Sequence, residues 1–131
     1  MGFRLVTLNL NGIRSAADKG FLDWADRAGA DCMGVQEVKA QAEHVAERFE
    51  RVSGMDGHFH YADKKGYSGV GLYSRKAPSD VLIGFDPTEF DAEGRYVEAR
   101  FDYAKRKLSV ISCYFPSGSS GEERQAAKFR F

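Results

Sequence analysis

Apolar positions in the first part of the chain switch between two periods. Phe3 to Asn9 and Asp31 to Gln36 are short, largely apolar runs that read as buried strands, and between them Phe21, Trp24, Ala25 and Ala28 recur at helical spacing. The pattern predicts a β-α-β opening. After Lys39, the residues Ala42, Val45, Ala46 and Phe49 fall at i, i+3, i+4 and i+7, which predicts a second helix with one apolar stripe and Arg51 to Gly57 as its exit loop. From His58 onward the texture becomes aromatic and β-branched, punctuated by Gly66, Gly69, Gly84 and Gly94, and predicts strands over 58–62, 69–75, 80–85, 95–102 and 107–115. Within them Val97, Ala99 and Phe101 alternate with Glu98 and Arg100, as in a strand buried on one face. Gly121, Glu122 and Glu123 open a last helix with acids in its first turn, and no glycine or asparagine stop precedes Phe131, so this helix reads as cut off. The stretch Ser117 to Gly121 is linker-like in composition but short enough to read as a functional loop.

Composition narrows the class. The 131 residues suit one domain, and 43% hydrophobic with 29% charged residues is an ordinary globular composition. Nineteen basic residues balance nineteen acidic ones, so no overall field attracts nucleic acid and any phosphate binding has to be local. Cys32 and Cys113 lie in separate apolar runs without C-x-x-C spacing, which excludes a zinc knuckle and leaves buried free thiols. No apolar stretch approaches the ~20 residues of a membrane helix, so no membrane partner and a cytoplasmic location are the expectation.

Candidate chemistry gathers at strand ends. Glu37 closes the run that ends in Gln36, with Lys39 two positions on. It is either one partner of a surface ion pair or a ligand for a hard divalent cation; Mg²⁺ takes one or two protein carboxylates and keeps several waters, so one Glu suffices. Asn9 and Asn11, on one side if the backbone stays extended, precede Gly12 and Arg14, either as a turn or as amides and a cation at a strand mouth. Gly66, Gly69 and Gly71 flank Tyr67, either as a punctuated hairpin or as an opening for close approach of a ligand. Arg95, after Glu93 and Gly94, can grip a phosphate or stand in solvent, and Tyr114 and Ser117 can donate to a phosphate or serve a core and a proline turn. His58 and His60 share a strand face, without a third ligand in view.

In this order, Asn9-Leu10-Asn11-Gly12-Ile13-Arg14, Gln36-Glu37-Val38-Lys39, Gly66-Tyr67-Ser68-Gly69-Val70-Gly71, Glu93-Gly94-Arg95 and Tyr114-Phe115-Pro116-Ser117-Gly118 closely resemble the exonuclease III family of DNA-repair nucleases, within the endonuclease/exonuclease/phosphatase superfamily. The resemblance implies an α/β sandwich of the DNase I-like type. Residues 1–131 are expected to form its N-terminal half, one mixed sheet flanked by helices, whose apolar inner face is left for the rest of the domain to cover. It implies Mg²⁺ or Mn²⁺ as cofactor and hydrolysis of DNA phosphodiester bonds in base excision repair. The implied partner is double-stranded DNA with abasic sites or 3′ ends. By motif position it makes Glu37 the main metal ligand, with Asn9 contributing an amide oxygen or orienting the ligand shell, and Tyr114 the tyrosine near the scissile phosphate. Arg14, Lys39, Tyr67, Arg95 and Ser117 become candidates for phosphate contact or site support.

The family's general base and its helpers come from an Asp-x-Asn motif and a closing Ser-Asp-His motif. Neither occurs in these 131 residues. The expectation is therefore that the chain alone is inactive and needs the C-terminal half of the same domain. Two other readings stay open: a superfamily hydrolase acting on a lipid, an inositol phosphate or RNA, and a non-catalytic half-protein that binds nucleic acid or a complementing partner.

Overall fold

The computed structural model describes residues 2–85, 88–103, 106–117 and 121–131. In chain order its elements are β1 (Leu5–Asn9), α1 (Ile13–Asp18), α2 (Phe21–Ala28), β2 (Cys32–Gln36), α3 (Ala42–Arg48), β3 (Arg51–Val52), β4 (Met55–His60), β5 (Val70–Ser74), β6 (Asp80–Ile83), α4 (Thr88–Asp91), β7 (Tyr96–Tyr103), β8 (Arg106–Cys113) and α5 (Glu122–Arg130). The β-α-β opening is present: β1 and β2 are parallel, with Asn9 opposite Gln36.

The α/β sandwich expected from the sequence is present, but it holds two sheets where one was expected. Five strands form a mixed sheet in the order β1-β2-β5-β4-β3, and three form an antiparallel sheet in the order β6-β7-β8. The reason lies in the burial pattern of the strands. β2 and β5 are apolar or small at nearly every position and buried on both faces, whereas β7 buries Val97, Ala99 and Phe101 and turns Glu98 and Arg100 to the other side. A one-sided antiparallel sheet covers a face; it does not extend a sheet buried on both. Its apolar side meets Cys32, Val70 and Leu72 in an inter-sheet core that also takes in Val110. The inner face expected to lie open is thus covered from within the chain.

A second core lies on the opposite face of the large sheet, where Met33, Val35, Phe59 and Tyr73 pack against Ile13, Phe21, Ala25, Val45 and Phe49 of the helical layer. Tyr73 is buried among them and donates its hydroxyl to the Phe49 carbonyl at 2.5 Å.

Three local expectations change. The stripe on α3 narrows to Val45 and Phe49, because Ala42 and Ala46 face solvent. His44, which sits beside that stripe and was expected to face solvent, is half-buried, its Nδ1 accepting from the Gln41 amide to close a capping box. The supposed exit loop 51–57 contains β3 and the start of β4, which pair Arg51 with Asp56 and Val52 with Met55. Part of the supposed functional loop, residues 118–120, lies outside the described residues. Both cysteines are free, Cys32 buried and Cys113 partly so. No described helix is long and apolar enough to cross a membrane.

Candidate functional site

The five sequence motifs lie at one end of the sandwich, and backbone hydrogen bonds stitch them together in sequence. Leu10, Gly12 and Ile13 donate to the carbonyls of Gln36, Glu37 and Val38; Val38 and Lys39 donate to Gly69 and Ser68; Gly69 donates to Gly94; and Tyr114 donates to Arg95. Each strand exit is pinned to the next, so the side chains they carry share one rim. The rim is bent to do so: Asn11, Glu37, Lys39 and Ser68 all adopt positive φ, near +50°, which L-residues rarely populate. Asn9 and Asn11, like Glu37 and Lys39, therefore converge through left-handed backbone and not through the extended alternation expected from sequence.

At the first pair of exits, Asn9 donates its side-chain amide to Glu37 Oε2 while its own Oδ1 accepts from the Asn11 N–H at 3.0 Å. An N–H can meet only the oxygen of the amide, so the Asn9 nitrogen is committed to Glu37. Of the two roles open to Asn9, this geometry matches orienting the carboxylate. Lys39 Nζ donates to Asn11 Oδ1 at 2.6 Å and stands 3.7 Å from Glu37 Oε1, too far for a hydrogen bond. Arg14, at the start of α1, donates to the Lys39 carbonyl at 3.3 Å. Behind Glu37, a polar bridge joins the sheets: Thr7 donates to Gln36 Oε1, Gln36 donates to Ser112 Oγ, and Ser112 donates to the Val35 carbonyl. Gly34 eases the close approach, since a Cβ there would make a tight 3.3 Å contact with that of Ser112.

At the other exits the centre is Arg95, only 2% exposed. Its Nε donates to Glu93 Oε1 at 2.6 Å, Nη1 to the Tyr114 carbonyl at 3.0 Å and Nη2 to the Tyr67 hydroxyl at 2.9 Å. The guanidinium carbon also lies 5.1 Å from the Tyr114 ring centre. Of the two roles open to Arg95, burial matches site support. Burial of Tyr114 pushes its phenol above the usual range, the Glu37 charge adds to this, and the Arg95 charge opposes it. The hydroxyl is therefore a protonated donor at neutral pH. Lys64 stands 5.2 Å from the Tyr67 ring centre. Ser117 is exposed on the segment leaving β8 beyond Tyr114.

Sequence reasoning missed Glu93 as the partner of Arg95, although the spacing around Gly94 hinted at it. It also missed Arg124 of α5, which donates to the same Glu93 oxygen at 3.2 Å and had no local signal.

Among the described residues, no group of three or more His, Cys, Asp or Glu could hold a metal ion. His60 Nδ1 accepts from the Tyr96 amide, and His58 Nε2 is buried without a hydrogen-bond partner. The donor set at the rim is one oriented carboxylate, partly open to solvent, with Oε1 out of hydrogen-bond range of Lys39. Such a set fits a hard divalent ion that keeps most of its waters, and does not fit zinc.

Known proteins match this arrangement along most of the chain. At 34% identity over 124 residues, an exodeoxyribonuclease of Bacillus subtilis aligns with 92% of this chain and 46% of its own length. A DNA-(apurinic or apyrimidinic site) endonuclease of Dictyostelium discoideum is 26% identical over 122 residues, 92% of this chain and 32% of that protein. The crystal structure of the Xenopus laevis APE2 catalytic domain superposes with a TM-score of 0.82 at 26% identity, over 98% of this chain and 50% of that one. The chain thus spans about half, or less, of the length of the relatives it matches. The model described as the Endonuclease/Exonuclease/phosphatase family matches residues 6–130, and the chain belongs to that family.

Proposed function

We propose that this chain supplies one half of a Mg²⁺- or Mn²⁺-dependent hydrolase of DNA phosphodiester bonds, of the exodeoxyribonuclease III and abasic-site endonuclease kind. The observation that carries the reading is the stitched rim, which sets the Asn9–Glu37 pair beside Tyr114 and its buried support. Names of relatives from a bacterium and an amoeba support DNA as the substrate.

In this reading Glu37 holds the metal and Asn9 keeps the carboxylate turned toward it. When bound, the metal supplies Lewis-acid stabilisation of the charge that water attack builds on the phosphate. Tyr114 donates its O–H to a phosphate oxygen, and Arg95 and Tyr67 hold it there. Lys39 and Arg14, on the open side of the rim, take flanking phosphates, with Ser117 a further donor where the strand leaves. A general base is the missing part, since neither Asp-x-Asn nor Ser-Asp-His occurs in the sequence. The 131 residues alone therefore bind metal weakly and do not turn over; the remaining half of the domain completes the site.

The test is a chimera in which residues 1–131 are continued by the remaining sequence of the Bacillus subtilis relative. It is expected to incise an abasic-site duplex, with about a hundredfold loss or more on Glu37→Ala. A folded chimera that does not cut, or cuts equally well with Glu37→Ala, overturns the proposal.

A further inference from the structure

Glu93 Oε1 is shared by two guanidinium groups that arrive from different elements. Arg95, just ahead of β7, reaches it at 2.6 Å and Arg124 of α5 at 3.2 Å. The backbone between Glu93 and Arg95 is closely packed and hydrogen-bonded. Gly94 sits at φ +61°, and a Cβ there would lie 2.4 Å from the Ala62 nitrogen. Its carbonyl accepts from both the Gly69 amide and the Ser68 hydroxyl. Glu93 is therefore presented from a fixed turn, and Arg95 continues the chain of hydrogen bonds to the Tyr67 hydroxyl and the Tyr114 carbonyl.

We infer that Glu93 is a positioning residue for the tyrosine pair, and that α5, through Arg124, sets how that carboxylate holds Arg95. The inference rests on the reading of Tyr114 as a phosphate-facing group. The competing role is a plain anchor for α5. That helix has a second anchor, because Phe131 packs on Phe85, Phe90 and Phe115 with ring centres 5.0–5.3 Å apart. Loss of Arg124 leaves α5 attached, so its effect on the tyrosines can be read separately.

The experiment is NMR of the 131-residue chain labelled with ¹³C at the tyrosine ζ carbon, comparing Glu93→Gln, Glu93→Asp and Arg124→Ala. Glu93→Gln is expected to move the Tyr67 and Tyr114 resonances while β2 and β5 amides stay in place, and Glu93→Asp to bring them back toward their original positions. Arg124→Ala is expected to move the same two resonances by less, with α5 amides retained. The inference is overturned if Glu93→Gln keeps the fold and leaves both tyrosines unmoved, or if Arg124→Ala disturbs α5 alone. Should Glu93→Gln fail to fold, Arg124→Ala decides by the same criterion. Neither metal nor DNA is involved, so a tyrosine response with an inactive chimera would sink the hydrolase reading and leave the coupling of Glu93 to the two tyrosines standing without its phosphate role.

Discussion

Arg95 and Lys39 carry the same charge at the same rim, yet Arg95 is 2% exposed with three hydrogen-bonded nitrogens, while the Lys39 side chain is 36% exposed. Breaking a buried ion pair leaves a desolvated partner and costs about 3–5 kcal/mol, whereas exposed pairs contribute about 0–1 kcal/mol. Arg95→Leu is accordingly expected to cost about 3 kcal/mol, the low end of the buried range because Arg124 still faces Glu93, and Lys39→Ala under about 1 kcal/mol. Urea denaturation measures both; equal losses would mean that burial does not govern this rim. The places of Glu37, Asn9 and Tyr114 at strand ends were legible in the sequence, because an apolar run leads up to each; the roles given to them came from the family resemblance. The burial of Arg95 was not, since it depends on Glu93, Tyr67 and Tyr114 meeting around it from separate parts of the chain.

At the level of elements, strands and helices with an apolar run or stripe were legible, and α1, β3 and α4, the shortest of their kinds, were not. α1 has six residues and one buried side chain, Ile13, so no helical period can emerge from it. The partition of strands into two sheets was equally hidden, because period-two alternation marks which face is apolar but not what covers it. Among the described residues β8 pairs with β7 alone and presents Leu108 at 41% and Ile111 at 50% exposure. A partly apolar edge invites pairing with another chain, and lysine on such an edge discourages it. Ile111→Lys is expected to reduce concentration-dependent self-association in light scattering, with a stability change within about 0.5 kcal/mol. A parent chain that stays monomeric at all concentrations would contradict this.

For the whole molecule, nineteen basic residues balance nineteen acidic ones, and Arg14, Lys39 and Lys64 stand among the motifs of the rim. The fold also makes the chain sensitive to alkali. Burial raises the phenols of Tyr61 and Tyr96 from an ordinary 10.0 to about 12 each, and raises Tyr73 further. The unfolded chain then loses these protons first, so their contribution to stability is complete below pH 10 and lost as pH rises through about 12. The contribution of the buried Cys32 thiol, raised from 9.0 to about 11, is lost first, so the urea midpoint should hold up to about pH 9 and fall between pH 9 and 12, and Tyr73→Phe should flatten the fall further up; a midpoint that rises there contradicts the assignment. Whether the stitched rim is a metal site built on Glu37 is decided by titrating the 131-residue chain with Mn²⁺ and following paramagnetic broadening of its amide resonances. Broadening centred on Asn9, Glu37 and Tyr114 that disappears in Glu37→Gln is the result expected; broadening that is centred elsewhere, for example on His58 and His60, or that persists in Glu37→Gln would contradict it.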